Sequence, residues 1–189
     1  MKTLVSYLSQ ISPLSEQTLA LMQSVFVADN LKKGDYFVRE GEYANEIAFL
    51  VSGVVRAFYT NKEGKEYNKT LFSAPAIIGS YASLISKEKN RLPQQALSDC
   101  TIWRANYAEI ERLSENNYEL ERLRRKIAER FFIGNEKKQL EMVLLEAKDR
   151  YFILKKEHPG IEHRIAQYHI ASYLGVSATQ LSRIRKKLR

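Results

Sequence analysis

The pattern of hydrophobic positions divides the chain into three stretches of different period. In residues 3–25, apolar side chains recur at helical spacing, as at Leu4, Leu8 and Ile11, and this spacing predicts helix. Ser15 stands where it can cap a second helical run. The N-terminal stretch is therefore expected to be helical.

Between residues 26 and 106, short runs of β-branched and aromatic residues alternate with turns that carry glycine. Such a series of short strands is typical of a β-roll or sandwich. Gly64 closes a hairpin turn that begins at Asn61, because glycine adopts positive φ without steric cost. The clearest runs are residues 36–38, 47–51, 54–59, 67–72 and 101–103.

From residue 107 onward the period is helical. Leu113, Leu120 and Ile127 are seven residues apart, a spacing typical of a coiled-coil seam. The alternative is a helix that packs only on its own domain. Because most of residues 122–126 are basic, few apolar residues remain for a second buried face. This favours a helix pair between subunits. Asn117 would then be a polar position that sets the register of the pair.

Gly134-Asn135 is predicted to break this helix. A second helix is expected over residues 136–157, and His158-Pro159-Gly160 ends it. The long helical region is thus predicted as two separate helices.

Two short helices around a tight turn are predicted in residues 167–184. Gly175 stands at the turn, where a left-handed backbone is needed, and Ala171 is small where the helices approach closely. Ser177 is a natural N-cap for the second helix. These offsets are typical of a helix-turn-helix, and the alternative is an ordinary helical hairpin. The shared apolar face comprises Ile170, Leu174, Val176, Leu181 and Ile184.

Charge favours a helix-turn-helix over a plain hairpin. The chain has 30 Lys and Arg against 22 Asp and Glu, a net charge of +8, and basic proteins associate with polyanions such as nucleic acid. The alternative is a generally basic surface with no partner. No acidic residue follows Arg164, whereas six basic residues lie from there to the end: Arg164, Arg183, Arg185, Lys186, Lys187 and Arg189.

The second helix of a helix-turn-helix lies in the major groove of DNA. Thr179, Gln180 and Arg183 are spaced to share one exposed face. Glutamine can pair with adenine and arginine with guanine, so this face is predicted to read bases. Contacts to phosphate, which add affinity without sequence information, are predicted for Ser177, Arg185 and Lys186.

Several classes of protein do not fit the sequence. Cys100 is the one cysteine, so an intrachain disulfide and cysteine-ligated zinc or iron–sulfur sites are not expected, and we expect it to be a buried core residue. The first ten residues lack the layout of a signal peptide, and no segment has the length of a membrane span. We expect a cytoplasmic protein. Without catalytic motifs, it is not expected to be an enzyme.

The order of these elements, and several short motifs within them, resembles the Crp/Fnr family of bacterial regulators over nearly the whole chain. The resemblance implies a homodimer held by the long helix, two recognition helices on a palindromic operator of double-stranded DNA, and a small effector in the β-roll. RNA polymerase is a further candidate partner. The motifs are Lys33-Gly34-Asp35, Glu40-Gly41-Glu42, residues 49–53, residues 63–66 and Ile77-Ile78-Gly79.

The chain departs from the pattern by which this family binds cyclic nucleotides. Ser80 follows Gly79 where the family has glutamate, and Leu92 follows Arg91 where it has a hydroxyl residue. The resemblance places Gly79, Ser80, Arg91 and Asn135 at the effector site, although Arg91 is alternatively a solvated loop residue. We expect an effector other than cyclic AMP, or none. Haem is not expected either, because the three histidines lie beyond the roll.

The sequence therefore predicts a dimeric, sequence-specific transcription regulator of the α+β class. Few residues separate Gly160 from the helix-turn-helix, where many members of the family have β-wing strands, so tight binding is expected to depend on dimerisation. The alternative is a ligand-sensing interaction module whose basic tail contacts an acidic protein. Selective, steeply salt-dependent DNA binding distinguishes the two. The predicted division is a jelly-roll-like β-roll over residues 1–106, a dimerisation helix over 107–134, and an α-helical helix-turn-helix domain over 135–189.

Overall fold

A computed structural model describes residues 1–188, and Arg189 of the basic C-terminal group lies outside the described residues. The helices are α1 (Lys2–Ile11), α2 (Glu16–Val25), α3 (Tyr81–Ser86), α4 (Tyr107–Ser114), α5 (Tyr118–Leu144), α6 (Ala147–Glu157), α7 (Ile161–Arg164), α8 (Gln167–Leu174) and α9 (Ala178–Lys186). The strands are β1 (Val27–Leu31), β2 (Tyr36–Val38), β3 (Glu46–Ser52), β4 (Val54–Thr60), β5 (Glu66–Ser73), β6 (Ala76–Ile78), β7 (Gln94–Ala96) and β8 (Cys100–Asn106).

Within residues 1–188, the strands form a roll of two antiparallel four-stranded sheets, ordered β1-β8-β3-β6 and β2-β7-β4-β5. Strand β3 shows why the sequence folds this way, since its side chains alternate between two apolar environments. Ala48 and Leu50 pack in the core between the sheets, together with Cys100. Phe49 packs on the opposite side, against the N-terminal helices. The predicted roll and the buried position of Cys100 are confirmed.

The predicted hairpin turn is confirmed between β4 and β5. Gly64 has a φ of 77°, in the left-handed region that favours glycine. The Asn61 backbone N–H donates to the Lys65 carbonyl at 3.0 Å, which closes the turn.

The N-terminal helices lie against one face of the roll and against α5. Ser15 caps α2 as predicted, because its side chain accepts a hydrogen bond from the backbone N–H of Thr18. Leu4 and Leu8 of α1 share a buried cluster with Leu120 and Leu123 of α5. Helix α5 is thereby fixed to the roll along its first half.

The predicted helix break at Gly134-Asn135 is wrong, because α5 is continuous over 27 residues. One glycine inside a helix costs only about 1 kcal/mol relative to alanine, which a long helix tolerates. The helical region is interrupted instead before α5, between Ser114 and Tyr118, where Asn117 caps the helix by accepting a hydrogen bond from the Leu120 backbone N–H. Asn117 is therefore a cap in this chain, and the second predicted helix is divided between α5 and α6.

We expect Gly134→Ala to raise the free energy of unfolding by roughly 0.5–1 kcal/mol, because it removes the backbone freedom of a helical glycine. A Cβ added at Gly134 meets nothing within 4 Å. Urea denaturation measures the change. Gly175→Ala is the matched control and should lower stability, since Gly175 has positive φ and its added Cβ would lie 2.9 Å from Met142 Cε. A loss of stability in Gly134→Ala would contradict a continuous α5.

Candidate nucleic-acid interface and effector cavity

Helices α8 and α9 are joined by a tight turn at Gly175. Its φ of 68° is left-handed, a conformation that ends helices and favours glycine. The backbone N–H of Gly175 donates to Ser172 O, and that of Val176 donates to Ala171 O at 3.0 Å. The predicted turn between two short helices is confirmed.

The two helices share the apolar face that the sequence predicts. Ile170, Leu174 and Leu181 are at most 1% exposed, and Val176 and Ile184 pack against the same cluster. This core fixes α9 to α8 and leaves the opposite side of α9 to solvent. That this solvent-facing side of α9 reads DNA stays a prediction.

Three of the six predicted DNA-contact residues form an exposed face on α9. Thr179, Arg183 and Lys186 are all exposed. They lie at intervals of four and three residues, which places them on one side of a helix. The face carries a hydroxyl, a guanidinium and an ammonium group, all of which can donate hydrogen bonds.

The other three predicted contacts have structural partners. Ser177 Oγ accepts from the Gln180 backbone N–H at 3.1 Å, and Gln180 Oε1 accepts from the Ser177 backbone N–H at 2.9 Å. This reciprocal capping box ties both side chains to the start of α9. Arg185 forms an ion pair with Glu162 at 3.2 Å. The capping box was legible in the sequence as Ser-x-x-Gln, but it competes with the base-reading role predicted for Gln180.

The C-terminal helices dock on the roll through α8 and β5. The Asn68 backbone N–H donates to Ser172 Oγ at 2.9 Å, and Asn68 Nδ2 donates to the His169 carbonyl at 2.9 Å. Val54 and Leu71 of the roll join the apolar cluster of the C-terminal helices. The position of α9 is therefore coupled to the sheet beneath it.

A buried polar cluster underlies this contact. Arg56 is 5% exposed; its Nε and Nη2 donate to Gln95 Oε1 at 3.0 and 2.7 Å, and its Nη1 pairs with Glu66 at 2.6 Å. His169 is 7% exposed. Burial, and then the charge of Arg56, lower the His169 pKa to about 4. Sequence reasoning missed this cluster, although an arginine inside the apolar run 54–58 was a signal for it.

A cavity of about 370 Å³ lies between the roll and α5. Three of the predicted effector residues, Gly79, Ser80 and Asn135, line it. The rest of its wall is mostly apolar and reaches the N-terminal helices at Leu4 and Leu8. The volume is in the range of small-molecule sites.

The fourth predicted effector residue, Arg91, is exposed and is not part of this cavity wall. The loop that carries it is held by Asn90, which is 2% exposed. Asn90 Oδ1 accepts from Ser80 Oγ at 2.8 Å and from the Leu92 backbone N–H at 3.1 Å. Arg91 is thus a solvated loop residue, the alternative that the sequence left open.

The residues predicted as a dimer seam pack inside their own chain. Leu120 is 1% exposed, and Leu113 and Ile127 are partly buried against the same cluster, which includes α1. Leu120 is therefore covered by its own chain, and Leu113 and Ile127 are half-buried against it. The seven-residue spacing therefore marks an intramolecular face, and this assignment of the seam is corrected.

A second apolar stripe on α5 is exposed. Ile133, Leu140 and Val143 are 62%, 59% and 81% exposed. Ile133 and Leu140 are seven residues apart, and Val143 follows at the next coiled-coil position. We call these three residues the outer stripe of α5.

Comparisons with known proteins agree with this architecture. Residues 28–117 match the cyclic nucleotide-binding domain family. A comparison with curated protein sequences finds no match.

Solved structures share the fold across most of the chain. FixK2 from Bradyrhizobium japonicum is similar with a TM-score of 0.74 and 18% identity, over 87% of this chain and 84% of that chain. The c-di-GMP responsive global regulator CLP from Xanthomonas campestris has a TM-score of 0.68 and 15% identity, over 92% and 91%. A structure from Eubacterium rectale assigned to the Crp/Fnr family of transcriptional regulators has a TM-score of 0.70 and 14% identity, over 94% and 87%. The chain thus has the fold of these regulators.

Within residues 1–188, every helix is too short or too polar to span a bilayer. No three His, Cys, Asp or Glu side chains of the same range gather closely enough to hold a metal ion.

Proposed function

We propose that this protein is a dimeric, sequence-specific DNA-binding transcription regulator of the Crp/Fnr type, controlled by a small effector in its roll. The observation that carries the proposal is the α8–α9 pair. Its left-handed turn at Gly175 and buried shared face leave Thr179, Arg183 and Lys186 exposed on one side of α9. A basic, solvent-facing second helix suits the major groove.

The contacts to DNA divide by chemistry. Arg183 is the base reader we propose, because arginine donates two hydrogen bonds to guanine, and Thr179 assists it. Lys186, at the basic end of α9, contacts phosphate. Ser177 and Gln180 hold the start of α9 through their capping box, and Arg185 is held by Glu162.

The proposed dimer forms through the outer stripe of α5. Several exposed apolar residues on one side of a helix are a candidate interaction site, and the seven-residue interval suits a helix pair. A two-fold dimer presents two copies of α9 to half-sites about one helical turn apart. The operator is then a palindrome, and RNA polymerase is a further candidate partner. With DNA as partner, the expected compartment is the cytoplasm, and the proposal includes no catalytic reaction.

Substitutions on α9 test the division of roles. Arg183→Ala should cost about 1–3 kcal/mol on the preferred site and relax selectivity at one base position, whereas Lys186→Ala should weaken all sequences alike and reduce the salt slope by about 1. Fluorescence anisotropy with specific and scrambled duplexes at several salt concentrations measures both effects.

Lys62→Ala is the control, because Lys62 is exposed in the β4–β5 hairpin turn and loses the same charge away from α9. It should leave affinity and selectivity unchanged. If Arg183→Ala and Lys186→Ala lost affinity equally for every duplex, the proposed base contact would be wrong. If the unaltered protein bound only acidic proteins, the interaction module would be the better account.

A further inference from the structure

We propose that the cavity between the roll and α5 binds a neutral, largely apolar molecule that carries one hydrogen-bond donor, such as a hydroxyl group, rather than a cyclic nucleotide. The inference rests on the proposed function insofar as this ligand is the effector.

The wall of the cavity selects for an apolar body. Phe49, Phe72 and Ile78 of the roll face it together with Leu123 and Ile127 of α5. Burial of apolar ligand surface against such residues is favourable by roughly 25 cal/mol per Å². A polar ligand of the same size would lose its hydration here without gaining enough partners.

Gln94 provides an acceptor without a partner. The side chain is 4% exposed and lines the cavity. Its Nε2 donates to the Gly79 carbonyl at 2.9 Å; because a carbonyl only accepts, this bond fixes which end of the amide is nitrogen. The remaining Oε1 is buried, and no described residue donates to it. A buried acceptor without a partner is costly, and a donor on the ligand would satisfy it.

The cationic groups of the wall are poorly placed to hold a phosphate. Both terminal nitrogens of Arg124 are engaged, Nη1 with Glu121 at 3.0 Å and Nη2 with Tyr107 Oη and Glu111 at 3.1 and 3.3 Å. Two carboxylates therefore balance its charge. Lys69 is the other cationic residue of the wall, and it is exposed to solvent. A phosphate anion needs stronger compensation when it leaves water.

Arg124 also has a donor that lacks a partner. Its Nε is buried and forms no hydrogen bond with the described residues. A hydroxyl group both donates and accepts, so an alcohol can pair either with Gln94 Oε1 or with Arg124 Nε. A simple apolar molecule without oxygen would leave both unsatisfied.

A pair of isomers tests the inference on the unaltered chain. 1-Octanol and heptyl methyl ether have the same atoms, but only the alcohol can donate a hydrogen bond. Isothermal titration calorimetry should show saturable binding of one 1-octanol per chain. Heptyl methyl ether should bind roughly tenfold more weakly, because it leaves Gln94 Oε1 without a donor. Cyclic AMP at millimolar concentration should give no saturable heat.

Gln94→Leu is the matched variant. It removes the acceptor, so the two isomers should bind it with similar affinity. Circular dichroism first establishes whether the variant is folded. If the variant is unfolded, the comparison of the two isomers on the unaltered chain remains the test. Equal binding of the isomers to the unaltered chain, no 1-octanol binding, or one-to-one binding of cyclic AMP would each overturn the inference. Titration contains no DNA, so these outcomes are independent of whether the protein binds an operator.

Discussion

The double substitution Leu140→Asp/Val143→Asp is expected to leave the protein folded and monomeric, and to weaken binding to a two-half-site duplex by at least about 100-fold, the gain that avidity typically provides. Both side chains are more than half exposed within the chain, at 59% and 81%. Their loss therefore removes no packing from the core. Paired across a two-fold axis, the added carboxylates would repel one another.

Sedimentation velocity measures the mass, and anisotropy with full-site and half-site duplexes measures the affinity. Val27→Asp is the control: Val27 is 64% exposed on β1 and undergoes the same change of side chain away from α5. It should remain a dimer with unchanged affinity. A double variant that stays dimeric would show that the outer stripe is not the dimer interface. An unaltered protein that is monomeric at micromolar concentration would contradict the dimer itself.

Acidification is expected to cost the folded protein about 3 kcal/mol between pH 7 and pH 4 through His169 alone. Burial and the neighbouring Arg56 lower the pKa of His169 to about 4 in the folded state, whereas an unfolded histidine titrates near 6.5. Between these values the unfolded chain binds more protons. The stabilisation is therefore fully present above about pH 6.5 and is lost as the pH falls toward 4.

Urea denaturation at a series of pH values measures this loss. In His169→Gln, the part of the pH dependence of the unfolding free energy that His169 causes should disappear. Exposed His163 offers the same substitution as a control for the loss of a histidine as such, and His163→Gln should behave as the parent does. His158, whose pKa burial also lowers, remains in all three proteins. If parent and His169→Gln lost stability in parallel across this range, His169 would not be buried beside Arg56 as described.

The sequence predicted best those elements that local chemistry decides. The α8–α9 turn needs a residue with positive φ, and glycine at 175 identifies it. The hairpin at Gly64 and the cap at Ser15 follow the same logic. Strands with a clear alternation were found, whereas the short strands β1, β6 and β7 were missed. Strand β7 is only Gln94–Ala96, and its polar side chains give no apolar pattern.

The wrong predictions concern features that tertiary contacts determine. Helix α5 has an inner apolar face with Leu120 and Ile127 and an outer one with Leu140 and Val143. Spacing alone identifies an apolar face without saying what covers it. The inner face was therefore assigned to a partner subunit, although the chain's own N-terminal helices cover it.

The candidate effector site was predicted only in part, because tertiary contacts determine it as well. Gly79, Ser80 and Asn135 do reach one cavity, but Arg91 faces solvent, because Asn90 anchors the loop from inside. Gln94 has no motif around it and gains its importance only from burial and an unsatisfied oxygen. Such features require three-dimensional structure.

Selection of duplexes from a randomised DNA library by the protein tests whether it is a dimeric, sequence-specific regulator. We expect enrichment of one palindromic sequence whose half-sites lie about one helical turn apart, with binding that weakens steeply as salt rises. Arg183→Ala should relax the same base position in both half-sites. A library that emerges without sequence enrichment, or an enriched site without two-fold symmetry, would contradict a dimeric sequence-specific regulator.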